Sequence, residues 1–230
     1  EIAKPNWDWN SAERMDGLLR LQKSHGFSHV MVLFQDMSLW ADRPTAFGGT
    51  RDLEGYKSLD ADNLPLQEAY IRYVVARWGC FVDMWEIFNE DSFAPDDYLG
   101  HIAGVIRRAD PYDRIITTNY PRPRAEWCEI VTPHRYFRIP AAEIDGYLAG
   151  QIGRHKSFGK VVQYTEGGNK GSLSNYDPLK WRIAAWTAFA NESGILLWGM
   201  SGRKTEPGRV GGNANAYIGP ETRKAWRVLN

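Results

Sequence analysis

The segment at residues 82–90, VDMWEIFNE, decides the fold class because an apolar run of strand length ends there in a carboxylate, Glu90. Its apolar residues predict a strand over residues 82–88. The segment at residues 160–166, KVVQYTE, has the same form and ends in Glu166. The carboxyl ends of parallel strands meet at one edge of a sheet, and sites in parallel α/β folds form there. The two segments therefore predict a parallel sheet with two glutamates at its functional edge.

Further out along the chain, apolar runs of strand length alternate with helical patterns. This alternation is typical of βα units that build a parallel sheet, so an α/β fold is expected. Six strands are predicted, at residues 28–34, 82–88, 114–118, 129–132, 160–165 and 194–198. Helices are predicted at residues 11–25, 65–78, from the turn at 95–97 to residue 109, 141–158 and 178–191.

The strand count predicts an incomplete barrel. A closed (β/α)8 barrel, or TIM barrel, needs eight strands, because strand number, tilt and stagger are geometrically linked. Only six are predicted, and residues 2–9 make a poor central strand because of Pro5 and their mixed polarity. We therefore expect residues 1–230 to form a single barrel domain in which the first two βα units are lacking.

The composition argues against several classes of partner. Twenty-eight basic side chains balance twenty-eight acidic ones, which gives nucleic acid no general attraction to the chain. The sequence contains no run of eighteen apolar residues, so no membrane span is predicted. Neither GxGxxG nor GxxxxGK[ST] occurs, and the five His show no HxH or HExxH spacing, so no nucleotide cofactor or metal is expected. Ten Trp and eleven Tyr favour a carbohydrate partner, although a Trp-rich core explains any single Trp about as well.

The two cysteines, Cys80 and Cys128, each stand just ahead of a predicted strand. Two buried thiols are the first expectation, and one disulfide between them is the alternative. With so few cysteines, the sequence leaves the redox compartment open.

The two glutamate segments resemble motifs of a known group of enzymes. WExxNE at residues 85–90 and YTEGG at residues 164–168 are similar to the fourth-strand and seventh-strand motifs of clan A glycoside hydrolases, which include families 5 and 39. The resemblance extends over nearly the whole chain, through residues 72–79, residues 132–137, which look like that group's sixth strand, and Leu197-Trp198, like its eighth. It implies a cellulase-like TIM barrel in which the six predicted strands are the third to the eighth.

The resemblance also implies a reaction. It indicates a retaining glycoside hydrolase that cleaves β-linked glycosides through a covalent glycosyl-enzyme, without a cofactor. It makes Glu90 the general acid/base and Glu166 the nucleophile, an order along the chain that comes from the family alone. Retention needs the two carboxyl groups about 5 to 5.5 Å apart, which opposite walls of a barrel mouth supply. Asn89 is implied to hydrogen-bond the sugar 2-hydroxyl, with a turn-forming Asn as the alternative.

Further candidate residues follow from the ends of the predicted strands. His134 and Tyr136 alternate on one face and match the group's HxY, so they are expected to line the site. Trp198 is expected to form a hydrophobic floor under the sugar unless it packs in the core. The other candidates are Gln35 and Asp36 as sugar contacts, Trp40 as an outer platform, and the weaker pair Asn119 and Tyr120. Glu86, in phase with Glu90, is expected to point inward as structural support with a polar partner.

Two other functions remain open at this point. A carbohydrate-binding protein on a degenerate barrel would keep the fold without turnover, and a transglycosylase would use the same two glutamates with another acceptor. The sugar that is recognised, the linkage that is cleaved and the choice between endo and exo action are expected to depend on loops such as residues 36–63 and 169–177. The partners expected besides the carbohydrate are the missing upstream barrel segment or further domains. An extracellular or periplasmic location is expected from the resemblance alone.

Overall fold

The computed structural model describes residues 9–35, 64–90, 94–168, 178–197 and 224. The chain forms two compact units, Glu1–Glu129 and Ile130–Asn230. None of the helices within the described ranges combines the length and the apolar character that a membrane span requires. The expectation of one barrel domain stays a prediction.

The first unit alternates helices and strands. Its elements are α1 (Trp9–Ser24), β1 (Val30–Gln35), α2 (Leu64–Trp78), β2 (Met84–Asn89), α3 (Asp96–Ala109) and β3 (Ile115–Thr117), with a 3-10 turn at Gly79–Phe81. The strands form a parallel sheet in the order β1-β2-β3, so β2 lies between two neighbours. Gly26 follows α1 with a φ of 78°, a left-handed conformation that glycine adopts without a steric penalty.

Strand β2 is the centre of the core of the first unit. All of its residues except Asn89 are buried, as expected for a parallel strand with apolar cover on both faces. Trp85 and Ile87 are completely inaccessible, and Ile71 of α2 and Ile102 of α3 belong to the same buried cluster. Each such side chain contributes about 1.5–3 kcal/mol through burial. The apolar run in the sequence therefore became a strand because it is covered on both sides.

Asp110 is a buried carboxylate that ties β2 to the turn before β3. Its Oδ2 accepts hydrogen bonds from Trp85 Nε1 at 2.8 Å and from the backbone N–H of Arg114 at 3.3 Å. Its Oδ1 accepts from the backbone N–H of Tyr112 at 3.0 Å and from the Arg114 guanidinium at 2.9 Å. Burial raises the pKa of Asp110 and is the largest single influence, but these donors together outweigh it and lower the pKa below its ordinary value.

The second unit is organised around one strand. Its elements are β4 (Ile130–Val131), β5 (His134–Tyr136), α4 (Ala141–Lys156), β6 (Val161–Gly168), α5 (Pro178–Ala190) and β7 (Gly194–Leu197). Strands β4, β5 and β7 all pair with β6 in parallel. β4 and β5 are consecutive pieces of one strand path, separated by Thr132 and Pro133, and Pro133 has no N–H to donate to a ladder. The strand predicted at residues 129–132 is therefore found as two pieces that reach Tyr136.

The core of the second unit lies between β6 and the helices α4 and α5. Val162 and Tyr164 of β6 pack in one cluster with Ile144 and Leu148 of α4 and Ala184 of α5. Tyr164 is completely buried, and burial raises its pKa to about 12. The phenol is therefore neutral over the whole physiological pH range.

Strand β6 carries one residue more than the strands beside it. Val131 and His134 are three positions apart, whereas their partners Val162 and Glu166 are four apart. On the β7 side, Ile195 and Leu197 are two positions apart, whereas Tyr164 and Gly167 are three apart. The extra residue therefore lies between Tyr164 and Glu166, and such a bulge reverses the alternation of faces beyond it.

The predicted helices and strands are all found, with ends that differ by one or two residues at most positions. The largest change is the extension of the fourth predicted strand to Tyr136. The expectation of two buried thiols is wrong for Cys80, which lies exposed in the 3-10 turn, whereas Cys128 is buried. Both thiols are free, so the alternative of a disulfide is also wrong.

We predict that Asp110→Asn lowers the free energy of unfolding by about 1–3 kcal/mol at neutral pH, because buried donors lose their acceptor. The folded-state pKa of Asp110 lies below the ordinary value of 3.8, so its stabilisation is present above that pH and is lost as pH falls through the folded-state pKa. Urea unfolding followed by tryptophan fluorescence, at pH 7 and at pH 3, measures the difference.

Asp113→Asn is the matched control, because the Asp113 side chain is 82% exposed and pairs with Arg107 at the surface. It is expected to change stability by less than about 1 kcal/mol. Equal losses for the two variants, or a loss at Asp110 that grows as pH falls, would contradict the assignment.

Candidate functional site

Glu90 follows the last residue of β2, at the carboxyl end of the sheet of the first unit. Its φ of 52° lies in the left-handed region, which costs a residue with a side chain about 1–3 kcal/mol. Its backbone N–H donates to Asn119 Oδ1 at 3.2 Å. The Asn119 N–H in turn donates to the carbonyl of Phe88 at 2.9 Å. Asn119 therefore holds the turn that carries the Glu90 carboxyl group, which is exposed.

This geometry indicates a supporting role for Asn119, which the sequence suggested as a weaker candidate for the site. Asn119 is 2% exposed and is engaged with the end of β2, so it supports Glu90. Its neighbour Tyr120 is exposed at the same strand end. Glu86 is buried in the middle of β2, in register with Val32 and Thr117. This position agrees with the structural role expected for Glu86.

The second unit brings three of the predicted site residues together. Glu166 of β6 lies in register with His134 of β5. The Tyr136 hydroxyl donates a hydrogen bond to Glu166 Oε2, and His134 Nδ1 lies 3.4 Å from the same oxygen. The side chains of His134 and Glu166 are only 8% and 12% exposed. The HxY segment and the glutamate segment therefore form one cluster at the carboxyl end of the sheet.

The two carboxylate oxygens of Glu166 have different surroundings. Oε2 accepts the Tyr136 hydrogen bond, and hydrogen bonds to an ionised acceptor are roughly twice as strong as neutral ones. No residue in the described ranges of this unit donates a hydrogen bond to Oε1. Among the described residues of this unit, the carboxylate is thus held in one orientation through Oε2 alone.

The bulge in β6 is what directs Glu166 to this cluster. With regular alternation, Glu166 would share the face of Tyr164, which packs against α4 and α5. Gly167 follows, and a Cβ at this position would lie 2.5 Å from Ile195 Cδ1. The Gly-Gly pair after Glu166 is a sequence signal for a bulge or a close approach of chains, which sequence reasoning did not use.

The remaining predicted contacts divide into two groups. Asn89 ends β2 beside Glu90, and Gln35 ends β1 in register with Asn89. The Gln35 side chain lies outside the described part of the structure. Asp36, Trp40 and Trp198 also lie outside the described residues. Their roles stay predictions.

Comparison with known proteins finds no match to a protein-family model or to a curated protein. Solved structures do match. An endo-β-1,4-mannanase from Thermotoga petrophila has a TM-score of 0.67 and 16% identity over 94% of this chain and 60% of that one. A GH5-4 broad-specificity endoglucanase from Clostridium longisporum has a TM-score of 0.61 and 11% identity over 85% and 67%. A mutant of a family 5 mannosidase from Rhizomucor miehei, in complex with mannosyl-fructose, has a TM-score of 0.60 and 14% identity over 84% and 65%.

The chain spans 60–67% of the length of these three enzymes. At 11–16% identity, the likeness concerns the fold and does not extend to the substrate. The matched structures are (β/α)8 barrels, and the parallel strands with intervening helices seen here correspond to part of such a barrel, which confirms the expected fold class. The chain therefore shares its fold with the family 5 enzymes of clan A, the group whose motifs its two glutamate segments resemble.

Proposed function

We propose that this chain is the catalytic part of a retaining glycoside hydrolase that cleaves β-linked glycosides. The observation that carries the proposal is the Glu166 carboxylate, held by the Tyr136 hydroxyl and adjacent to His134 at the end of the central strand β6. The fold shared with mannanases and endoglucanases supports the same class of reaction. No cofactor enters the proposed chemistry.

In the proposed reaction, Glu166 is the nucleophile. Its Oε1 attacks the anomeric carbon while the bond to the leaving oxygen breaks, which forms a glycosyl-enzyme ester. The Tyr136 hydroxyl keeps the carboxylate plane fixed through Oε2, so little reorganisation is needed before attack. The low exposure of Glu166 removes most of the water that would otherwise solvate and weaken the nucleophile.

Glu90 is the proposed general acid and base. It transfers its proton to the leaving glycosidic oxygen in the first step, and in the second step it takes a proton from the water that attacks the ester. The Asn119 contact and the positive φ determine the direction in which the Glu90 side chain leaves β2. Retention of configuration requires its carboxyl group to stand about 5 to 5.5 Å from that of Glu166.

The proposed substrate is a β-linked glycan. The names of the matched structures point to mannan and β-glucan as the first polymers to test, because they include mannanases, a mannosidase and an endoglucanase. Asn89, His134 and Tyr136 are the described residues proposed to contact the sugar. Export to an extracellular or periplasmic location remains a proposal that rests on the resemblance.

We predict that Glu166→Gln abolishes release of reducing ends from mannan and β-glucan, because an amide cannot form the glycosyl ester. Folding is expected to be kept, because the substitution preserves shape at a partly exposed position. Reducing-end release and circular dichroism measure the two properties, and NMR of the first product gives its anomeric configuration.

Glu143→Gln in the first turn of α4 is the control, because Glu143 is an exposed glutamate of the same unit. Full activity of Glu166→Gln, or a first product with inverted configuration, would overturn the nucleophile assignment. Glycan binding by the unaltered chain without any release of reducing ends would instead favour a carbohydrate-binding protein.

We predict that Glu90→Gln lowers the rate on unactivated glycosides on the order of 10²–10⁴-fold, which is the usual contribution of general acid–base catalysis. Aryl glycosides with a good leaving group should still form the glycosyl-enzyme, because departure of that group needs no proton. Mass spectrometry of the trapped intermediate measures this step. Equal loss on both kinds of substrate would argue against Glu90 as the acid.

We predict that Tyr136→Phe lowers kcat/KM on the order of 10- to 100-fold, because a hydrogen bond to a charged group is worth about 1.5–3 kcal/mol. Tyr136 is only partly buried, so the variant should fold. Tyr112→Phe, at an exposed position of the first unit, is the control and should leave kcat/KM unchanged. An unchanged kcat/KM for Tyr136→Phe would remove the tyrosine from the proposed site.

A further inference from the structure

Helices α4 and α5 enclose a groove of about 510 Å³ that is open to solvent. Asp145 of α4 and Leu179, Arg182 and Trp186 of α5 are among its lining residues. The strand-end cluster around Glu166 contributes no residue to this groove. The groove is therefore a separate feature of the second unit.

Helix α5 exposes large apolar side chains on its outer side and buries others on its core side. Trp181 and Ala184 are buried, whereas Leu179, Trp186 and Phe189 are 53%, 41% and 68% exposed. Leu179 and Trp186 lie about two helical turns apart and Phe189 lies one turn beyond Trp186, so these residues form one stripe, which the exposed Arg182 shares. An ordinary surface helix is polar on its outer side, and a contiguous exposed apolar patch commonly marks a binding surface.

Trp186 supplies the flat surface of this stripe. Its ring meets that of Phe189 edge to face, with centroids 6.0 Å apart and an interplanar angle of 90°. This contact restricts the orientation of the indole ring, so less rotamer freedom is lost when a ligand covers it. An exposed indole ring suits the C–H face of a pyranose sugar.

Two charged side chains, Asp145 and Arg182, line the groove together with Trp186. Asp145 Oδ1 accepts a hydrogen bond from the Thr187 hydroxyl at 2.7 Å, which orients the carboxylate, and no residue in the described ranges donates to Oδ2. Arg182 is exposed and makes no hydrogen bond or ion pair with any residue in the described ranges. One anionic and one cationic group leave the groove without net charge, so it does not select a charged partner.

These features favour a sugar over a protein partner. A sugar hydroxyl can donate to Asp145 and accept from Arg182, while the ring covers Trp186. A protein helix seated on the apolar stripe would have to bury both charged groups and supply partners for each. Small side chains at Ala142 and Ala190 leave room for a chain to lie along the groove.

We propose that this groove is a second carbohydrate-binding surface, which holds a neutral glycan chain on the outer side of α4 and α5. The choice of ligand rests on the proposed function. The binding itself requires neither Glu90 nor Glu166. The groove would keep the chain attached to a polymer between cleavage events.

The test is affinity electrophoresis of the complete chain in gels that contain soluble mannan or β-glucan. Trp186→Ala and Arg182→Ala are each expected to raise the dissociation constant roughly 5-fold or more, since 1 kcal/mol of lost contact corresponds to about that factor. Both variants should hydrolyse a small aryl β-glycoside at the unaltered rate. Phe27→Ala, which removes a 59% exposed aromatic ring from the other unit, is the matched control.

The outcomes separate the two proposals. Unchanged retardation of Trp186→Ala and Arg182→Ala would overturn the groove as a glycan site. Retardation that depends on Trp186 in a chain that releases no reducing ends would support the groove while removing the proposed hydrolase function. Light scattering that shows a dimer converted to a monomer by Trp186→Ala, with retardation unchanged, would identify the face as an interface between two copies and overturn the proposal.

Discussion

The alternation of side chains along a β-strand is the constraint on which the proposed site depends. In a regular strand, Val162, Tyr164 and Glu166 would all face α4 and α5. A carboxylate in that apolar core would cost several kcal/mol or lose its charge. The extra residue in β6 ends the alternation after Tyr164. One strand therefore supplies both a neutral phenol for the core and a carboxylate that meets His134 and Tyr136.

Asp110 and Glu166 are two carboxylates of low exposure that differ in the hydrogen bonds they accept. This difference distinguishes a structural group from a candidate reactive group. Asp110 accepts four hydrogen bonds, two on each oxygen, and its donors come from Trp85, Tyr112 and Arg114. Such a group has no capacity left for a ligand, and its contribution is to stability. Within the described part of its unit, Glu166 is held through Oε2 and accepts no hydrogen bond on Oε1. The same principle applies in the outer groove, where Thr187 is the one described residue that donates to Asp145, through Oδ1.

The sequence predicted the order and type of the described elements because most strands are apolar runs with buried residues, and the helices pack apolar side chains against the sheets. Its errors have local causes. Cys80 lies in a 3-10 turn at the surface, which hydrophobicity does not reveal. The strand after Cys128 continues past Pro133 to Tyr136, because β6 provides pairing partners on both sides of the proline. Asn119 was a weaker site candidate, and the hydrogen bond that its amide oxygen accepts at Glu90, which the sequence does not reveal, gives it a supporting position.

The sequence by itself determined the α/β class, the two glutamates at strand ends and the HxY segment, because these follow from local pattern and chain order. Only the tertiary structure decided that Glu166 faces His134 and Tyr136, since a one-residue bulge is defined by the register of neighbouring strands. The exposed stripe on α5 was likewise decided in three dimensions. Apolar residues occur all around that helix, and only packing against β6 and α4 determines which of them remain at the surface.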